Sequence, residues 1–167
     1  MLFRSHAEFL PGGPSKARIY AGQGTLDLSR FGNLRQRRSG DPIDLFVLSA
    51  CRTALGDPAS ELGFSGLALQ AGARSAIGTL WYVDDVATSA FFVHFYRQLR
   101  LGLPKAEALQ ATRRAFASGQ VRLEGNRVVA GSEVLLDQLT PAQMRRVQAG
   151  LSHPFFWSGI ELMGTPW

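Results

Sequence analysis

Ile43–Leu55 reads I-D-L-F-V-L-S-A-C-R-T-A-L, and the rest of the chain is organised around it. Leu45 to Leu48 are four apolar residues in a row, the pattern of a short strand buried on both faces. The run stops at the small residues Ser49 and Ala50 and presents Cys51, the only cysteine in the chain. Asp44 and Arg52 bracket the strand, and a loop containing Thr53, Gly56, Asp57 and Pro58 follows it. A lone cysteine is most often a small buried core residue. At the C-terminal end of a buried parallel strand, flanked by charge, a thiol instead stands where open α/β sheets place their chemistry.

On either side of this strand the pattern alternates between helix and strand. Phe64, Leu67, Ala68 and Ala71 follow the i, i+3, i+4, i+7 spacing of an amphipathic helix, and Gly72 suits its left-handed cap. Ala73 to Trp81 reads as the next strand, with Ile77 and Leu80 in its apolar part. Asp84 or Asp85 caps a helix running to about Arg100, whose stripe of Phe91, Phe95 and Leu99 is core packing. His94 reads as a partly exposed helix residue, and no histidine pairs with cysteine or carboxylates at metal-ligand spacing. No metal or cofactor is expected.

Pro104 opens a further helix at its first position, with Leu109, Thr112 and Phe116 inside. Val121 to Val129 alternates about Gly125-Asn126, a hairpin signal. Thr140-Pro141-Ala142-Gln143 is a capping box, with Met144 and Val147 on the inner face. His153 to Met163 reads as the last strand, and Gly164 to Trp167 as a tail. Upstream, Arg18–Tyr20 reads as a short strand, Gly22–Gly24 as a tight turn and Thr25 to Leu34 as a short helix. These patterns predict an α/β fold, a mostly parallel sheet flanked by helices with Ile43–Ser49 at its centre.

The 167 residues suit a single domain, 1–167. No apolar run is long enough to span a membrane, and M-L-F-R-S-H lacks a signal peptide's apolar stretch. A single cysteine excludes an internal disulfide and fits a reducing, cytoplasmic compartment. The net charge of +5 comes from scattered basic residues, without the concentrated patch or reading module of a nucleic-acid surface. Phosphatase chemistry is disfavoured as well, since its loop needs an arginine six positions after the cysteine and Asp57 stands there.

Three ordered blocks resemble CHAT domains, the caspase-like cysteine peptidases of clan CD. They are L-F-V-L-S-A-C-R-T-A-L-G around Cys51, Ala71 to Asp85 (A-G-A-R-S-A-I-G-T-L-W-Y-V-D-D), and His153-Pro154-Phe155-Phe156-Trp157. Ser5-His6-Ala7-Glu8-Phe9 is similar to the family's histidine motif, in which the catalytic histidine ends a strand, with Ala7 where glycine is commoner. The resemblance implies a caspase-like fold and a cysteine endopeptidase with Cys51 as nucleophile, His6 as its base, no third acid, and no cofactor. It implies backbone N–H groups near Cys51 and Ala7 as the oxyanion hole. Asp84 and Asp85 are then candidates to bind a basic substrate side chain. The expected partner is a protein or peptide substrate, with neither nucleic acid nor membrane involved.

By the same resemblance, Gly119 to Gly150, a hairpin plus a short helix, reads as an insertion before the last strand. A caspase-like domain carries strands before its histidine, whereas five residues precede His6. The sequence therefore reads as an incomplete domain lacking the first strands: either it is a fragment or truncated reading frame, or another chain supplies the missing N-terminal half or helical-repeat region. The competing function is a non-catalytic CHAT-type interaction module or truncated remnant.

Overall fold

A computed structural model describes residues 6–8, 18–21, 24–27, 42–48 and 63–167. The strands are β1 (His6–Glu8), β2 (Arg18–Ala21), β3 (Gly24–Asp27), β4 (Phe46–Val47), β5 (Ser75–Thr79), β6 (Val121–Glu124), β7 (Arg127–Ala130), β8 (Glu133–Leu136) and β9 (Ile160–Gly164). The helices are α1 (Gly63–Gln70), α2 (Asp85–Arg100), α3 (Lys105–Ala117) and α4 (Pro141–Val147), with a 3₁₀ turn at Pro154–Phe156. The class is mixed α/β. The chain divides into two compact units, Met1–Tyr82 with Ile160–Pro166, and Val83–Gly159 with Trp167.

In the first unit, β5 is the strand that every neighbour leans on. Its five residues, S-A-I-G-T, are all buried. Small side chains at Ala76 and Gly78 let neighbouring backbones approach closely. β4 pairs with it in parallel, Phe46 opposite Ala76 and Val47 opposite Ile77, and the Leu48 N–H extends the ladder to the Ile77 carbonyl at 2.9 Å. On the other side β9 runs antiparallel, from Ser75 opposite Gly164 to Thr79 opposite Ile160. The sheet order is β4-β5-β9.

This corrects the expected centre of the sheet. Among the described residues β5, and not the segment from Ile43, lies between two strands, and the parallel pairing is confined to β4 and β5. Leu45, Phe46 and Val47 are half-buried and only Leu48 is fully buried, so the apolar run is not covered on both faces. Ser49 lies outside the described residues.

α1 is fastened to β5 by a Schellman turn, with Gly72 at φ +93°. The Ala73 N–H reaches the Ala68 carbonyl at 3.0 Å and the Gly72 N–H the Leu69 carbonyl at 2.9 Å, satisfying two orphan acceptors. Ala68, Ala73 and Ala76 form a small core there, covered by Ile43, Phe46 and Leu69.

β1, β2 and β3 form a separate antiparallel sheet in that order, with His6 opposite Tyr20 and Ala7 opposite Ile19. Two expectations change here. His6 does not end its strand, which continues through Glu8. Thr25 to Asp27 are strand, not helix, with Tyr20 opposite Thr25. The remainder of that expected helix lies outside the described residues.

In the second unit, α2 packs on α3 through aromatic side chains. Phe91, Phe95 and Phe116 are fully buried, and the Phe91 and Phe116 rings have centroids 5.4 Å apart. Burying each such ring contributes about 2–3 kcal/mol. Pro104 is the residue before α3 and not its first.

β6 and β7 form the expected hairpin, Glu124 opposite Arg127, with Gly125 at φ +59°. A third strand, β8, joins them antiparallel with Ala130 opposite Glu133. The segment is therefore a three-stranded sheet plus α4, where a hairpin plus helix was expected. The capping box forms as read, Thr140 accepting from the Gln143 N–H and Gln143 from the Thr140 N–H, with Pro141 opening α4.

Two further expectations are corrected. His94 is not a partly exposed helix residue but is 6% exposed, its ring hydrogen-bonded to Thr112 on α3. His153-Pro154-Phe155-Phe156-Trp157 is not strand: His153 caps the 3₁₀ turn through Nδ1 and the Phe155 N–H, and β9 starts only at Ile160. Proline at the first position of a turn favours that start, because its missing N–H is not needed there.

Candidate functional site

Parallel strands have their C-terminal ends at one edge of a sheet. β4 and β5 are such a pair, so the chain leaving β4 and the chain leaving β5 emerge at the same edge. From β5 it passes through Leu80 and Trp81, both half-buried, to Tyr82, which is 68% exposed. From β4 it continues in sequence to Ser49, Ala50 and Cys51, which lie outside the described residues. His6 and Ala7, by contrast, belong to β1 in the three-stranded antiparallel sheet.

The two carboxylates have well-defined local roles within the second unit. Asp84 is the N-cap of α2: its Oδ1 accepts from the Val86 N–H at 2.8 Å and the Ala87 N–H at 3.1 Å. Its Oδ2 lies 3.2 Å from Arg146 Nε, an ion pair with α4. The same guanidinium reaches Asp85 Oδ2 at 3.8 Å through Nη1. The Asp84 side chain is 12% exposed and that of Asp85 68%. One carboxylate therefore caps, as the sequence suggested, while Arg146 bridges both and ties α4 to the start of α2.

Removing the cap has a measurable consequence. Asp84→Ala leaves two N–H groups at the start of α2 without their acceptor and is expected to cost about 1–2 kcal/mol. The exposed half of the ion pair adds at most about 1 kcal/mol. The expected fall in Tm is about 3–6 °C for a chain of this length. Asp84→Asn keeps a capping oxygen and should lose less than half as much. Equal losses in thermal unfolding would shift the weight from the cap to Arg146.

Residues 2–165 match the family described as CHAT domain. The chain belongs to the CHAT family. No curated protein matches the sequence. The matched span takes in both His6 and the S-A-C-R-T-A motif around Cys51, and CHAT domains are a caspase-like family.

The CHAT domain gathers no three histidine, cysteine, aspartate or glutamate side chains into a metal-binding group among the described residues. No helix among them is long and apolar enough to cross a membrane. Arg146, which no sequence motif singles out, is the further residue that engages the Asp84 and Asp85 carboxylates. Nothing local marks it, because its partners are far away in the chain. His94 was missed for the same reason, its Thr112 partner lying on the next helix.

Proposed function

We propose that this CHAT domain is a cysteine endopeptidase that cleaves protein substrates with a Cys51–His6 dyad. The observation that carries the reading is the family match across residues 2–165, which includes the cysteine of S-A-C-R-T-A and the histidine of S-H-A-E-F. The β4–β5 parallel pair supports a caspase-like sheet around it. On this reading β6–β8 and α4 are an insertion in that fold, and the lone cysteine suits a reducing compartment such as the cytoplasm.

A free thiol has a pKa of about 8.5, so near neutral pH a base must draw off its proton. His6 takes that proton as the Cys51 sulfur attacks the scissile carbonyl carbon. The carbonyl oxygen, now negative, is held by backbone N–H groups near Cys51 and Ala7, each worth about 3–4 kcal/mol when well placed. The C–N bond breaks, the amine leaves with the proton from His6, and the acyl group stays on sulfur as a thioester. Water then adds to the thioester through His6, releasing the acid and returning the proton to Cys51.

For specificity we assign Asp84 and Asp85 to a lysine or arginine side chain of the substrate, held by charge-assisted hydrogen bonds. Asp84 has one oxygen on the α2 cap and the other beside Arg146, so Asp85 is the more accessible of the two. Arg146 competes with the substrate for that carboxylate.

The test is the rate of Cys51 alkylation by a small uncharged reagent as a function of pH. The unaltered chain should react faster below pH 8 than an isolated thiol does, and His6→Ala should slow it there while leaving the rate at high pH unchanged. An identical profile for both chains would remove His6 as the base and favour the non-catalytic CHAT module.

A further inference from the structure

We infer that His94 is an acid-sensitive latch in the α2–α3 pair. Its imidazole is 6% exposed, and Nδ1 lies 2.9 Å from the Oγ1 of Thr112 on α3. Thr112 is fully buried, and its hydroxyl donates to the Ala108 carbonyl at 2.9 Å. A hydroxyl has one proton. With that proton on Ala108, Thr112 can only accept from His94, so Nδ1 carries the hydrogen and Nε2 is bare. The two helices are joined here by a short directional chain, from His94 to Thr112 to Ala108, that is complete with the ring neutral.

Acid changes this arrangement at Nε2. A second proton adds a full charge and a new donor to a side chain with little access to water, which is costly without a partner. The charged groups that reach the ring are few. Glu133 on β8 favours the cation, but Arg97 on α2 opposes it and lies 3.4 Å from that same carboxylate. α3 faces the ring with uncharged Thr112, and α4 directs Arg146 to Asp84 and Asp85. Burial outweighs Glu133 and holds the His94 pKa below its ordinary value.

The sign follows from which state binds the proton. Above a pH of about 6.5, the ordinary histidine value, His94 is neutral whether the chain is folded or unfolded, and its contribution to stability is complete. Below that, the unfolded chain takes up a proton that the folded chain refuses. Stability is then lost progressively until the pH reaches the folded-state value, where the loss from this group stops.

Thermal unfolding of the full chain at pH 7.5 and 5.5, with and without His94→Asn, tests the latch. Asparagine carries an N–H on Cγ, as Nδ1 does, for Thr112 and does not titrate, so the fall in Tm on acidification should be clearly smaller in His94→Asn than in the unaltered chain. His6 and His153 are present in both chains and cancel. An equal fall in the two overturns the inference. A nuclear magnetic resonance titration of the His94 ring in the unaltered chain is the second measurement, independent of whether the variant folds. A midpoint below about 6.5 supports the latch, and one at or above it overturns the latch.

Discussion

A Cys51→Ala chain is expected to cleave none of the peptides that the unaltered chain cleaves, a loss in kcat/KM of about 10³-fold or more. The size of the effect follows from the chemistry. The sulfur supplies the electron pair that forms the acyl bond, and a methyl group has none to give. His6 alone can at most activate a water, which lacks the proximity of a side chain held in place. Cys51→Ser separates nucleophilicity from geometry, because a hydroxyl occupies nearly the same position but ionises far less readily. It should be almost as inactive as the alanine variant. His6→Ala should retain a residue of activity that grows with pH, as hydroxide replaces the missing base. An unchanged Tm in each variant would show that the loss is chemical. Cleavage by Cys51→Ala at a tenth or more of the original rate would place the nucleophile elsewhere.

The features legible in the sequence were the ones whose causes are local. The Gly125-Asn126 turn announces β6 and β7 because both strands and the residues that join them lie within ten positions. The Thr140–Gln143 capping box, the Asp84 cap and the Gly72 turn each depend on hydrogen bonds reaching no further than five residues. β8 was missed although its turn has the same form, Gly131 at φ +61° between Ala130 and Glu133. Its strand, E-V-L-L, is too weakly alternating to stand out.

The remaining errors share a non-local cause. An apolar run such as Leu45–Leu48 reads as central, but which strand lies between two others depends on where β9 returns, more than a hundred residues later. The burial of His94 depends on α3, and the engagement of Asp84 and Asp85 on α4. Of the proposed site, His6 stands out only through a family motif, whereas Cys51 also draws notice from its place after the apolar run. The local role of the carboxylates was legible from cap chemistry alone.

Gly164→Ala is expected to lower stability by about 2–4 kcal/mol, because two costs coincide at that position. Gly164 has φ +90°, a left-handed conformation that costs a residue with a β-carbon about 1–2 kcal/mol. A β-carbon there also collides with the Arg74 carbonyl oxygen and meets Leu69 Cδ2 at 2.9 Å and the Ser75 Cα at 3.2 Å. Relief by movement is blocked on the backbone side. The Arg74 carbonyl accepts from the Thr165 N–H at 2.9 Å, and the Arg74 N–H donates to the Ile43 carbonyl at 2.7 Å. Ser75, fully buried, adds a hydroxyl bond to the Thr165 carbonyl at 2.7 Å. What read as a tail is thus the closing end of the β5–β9 ladder. Gly102→Ala is the matched control, since Gly102 has φ +91° but open space around its missing β-carbon. It should show the backbone cost alone, so the difference between the two variants measures the collision. The expected fall in Tm is about 4–12 °C for Gly164→Ala and about half of that or less for Gly102→Ala. Equal falls in thermal unfolding would mean that β9 moves away from Arg74 without cost, and that the sheet edge is softer than its hydrogen bonds imply.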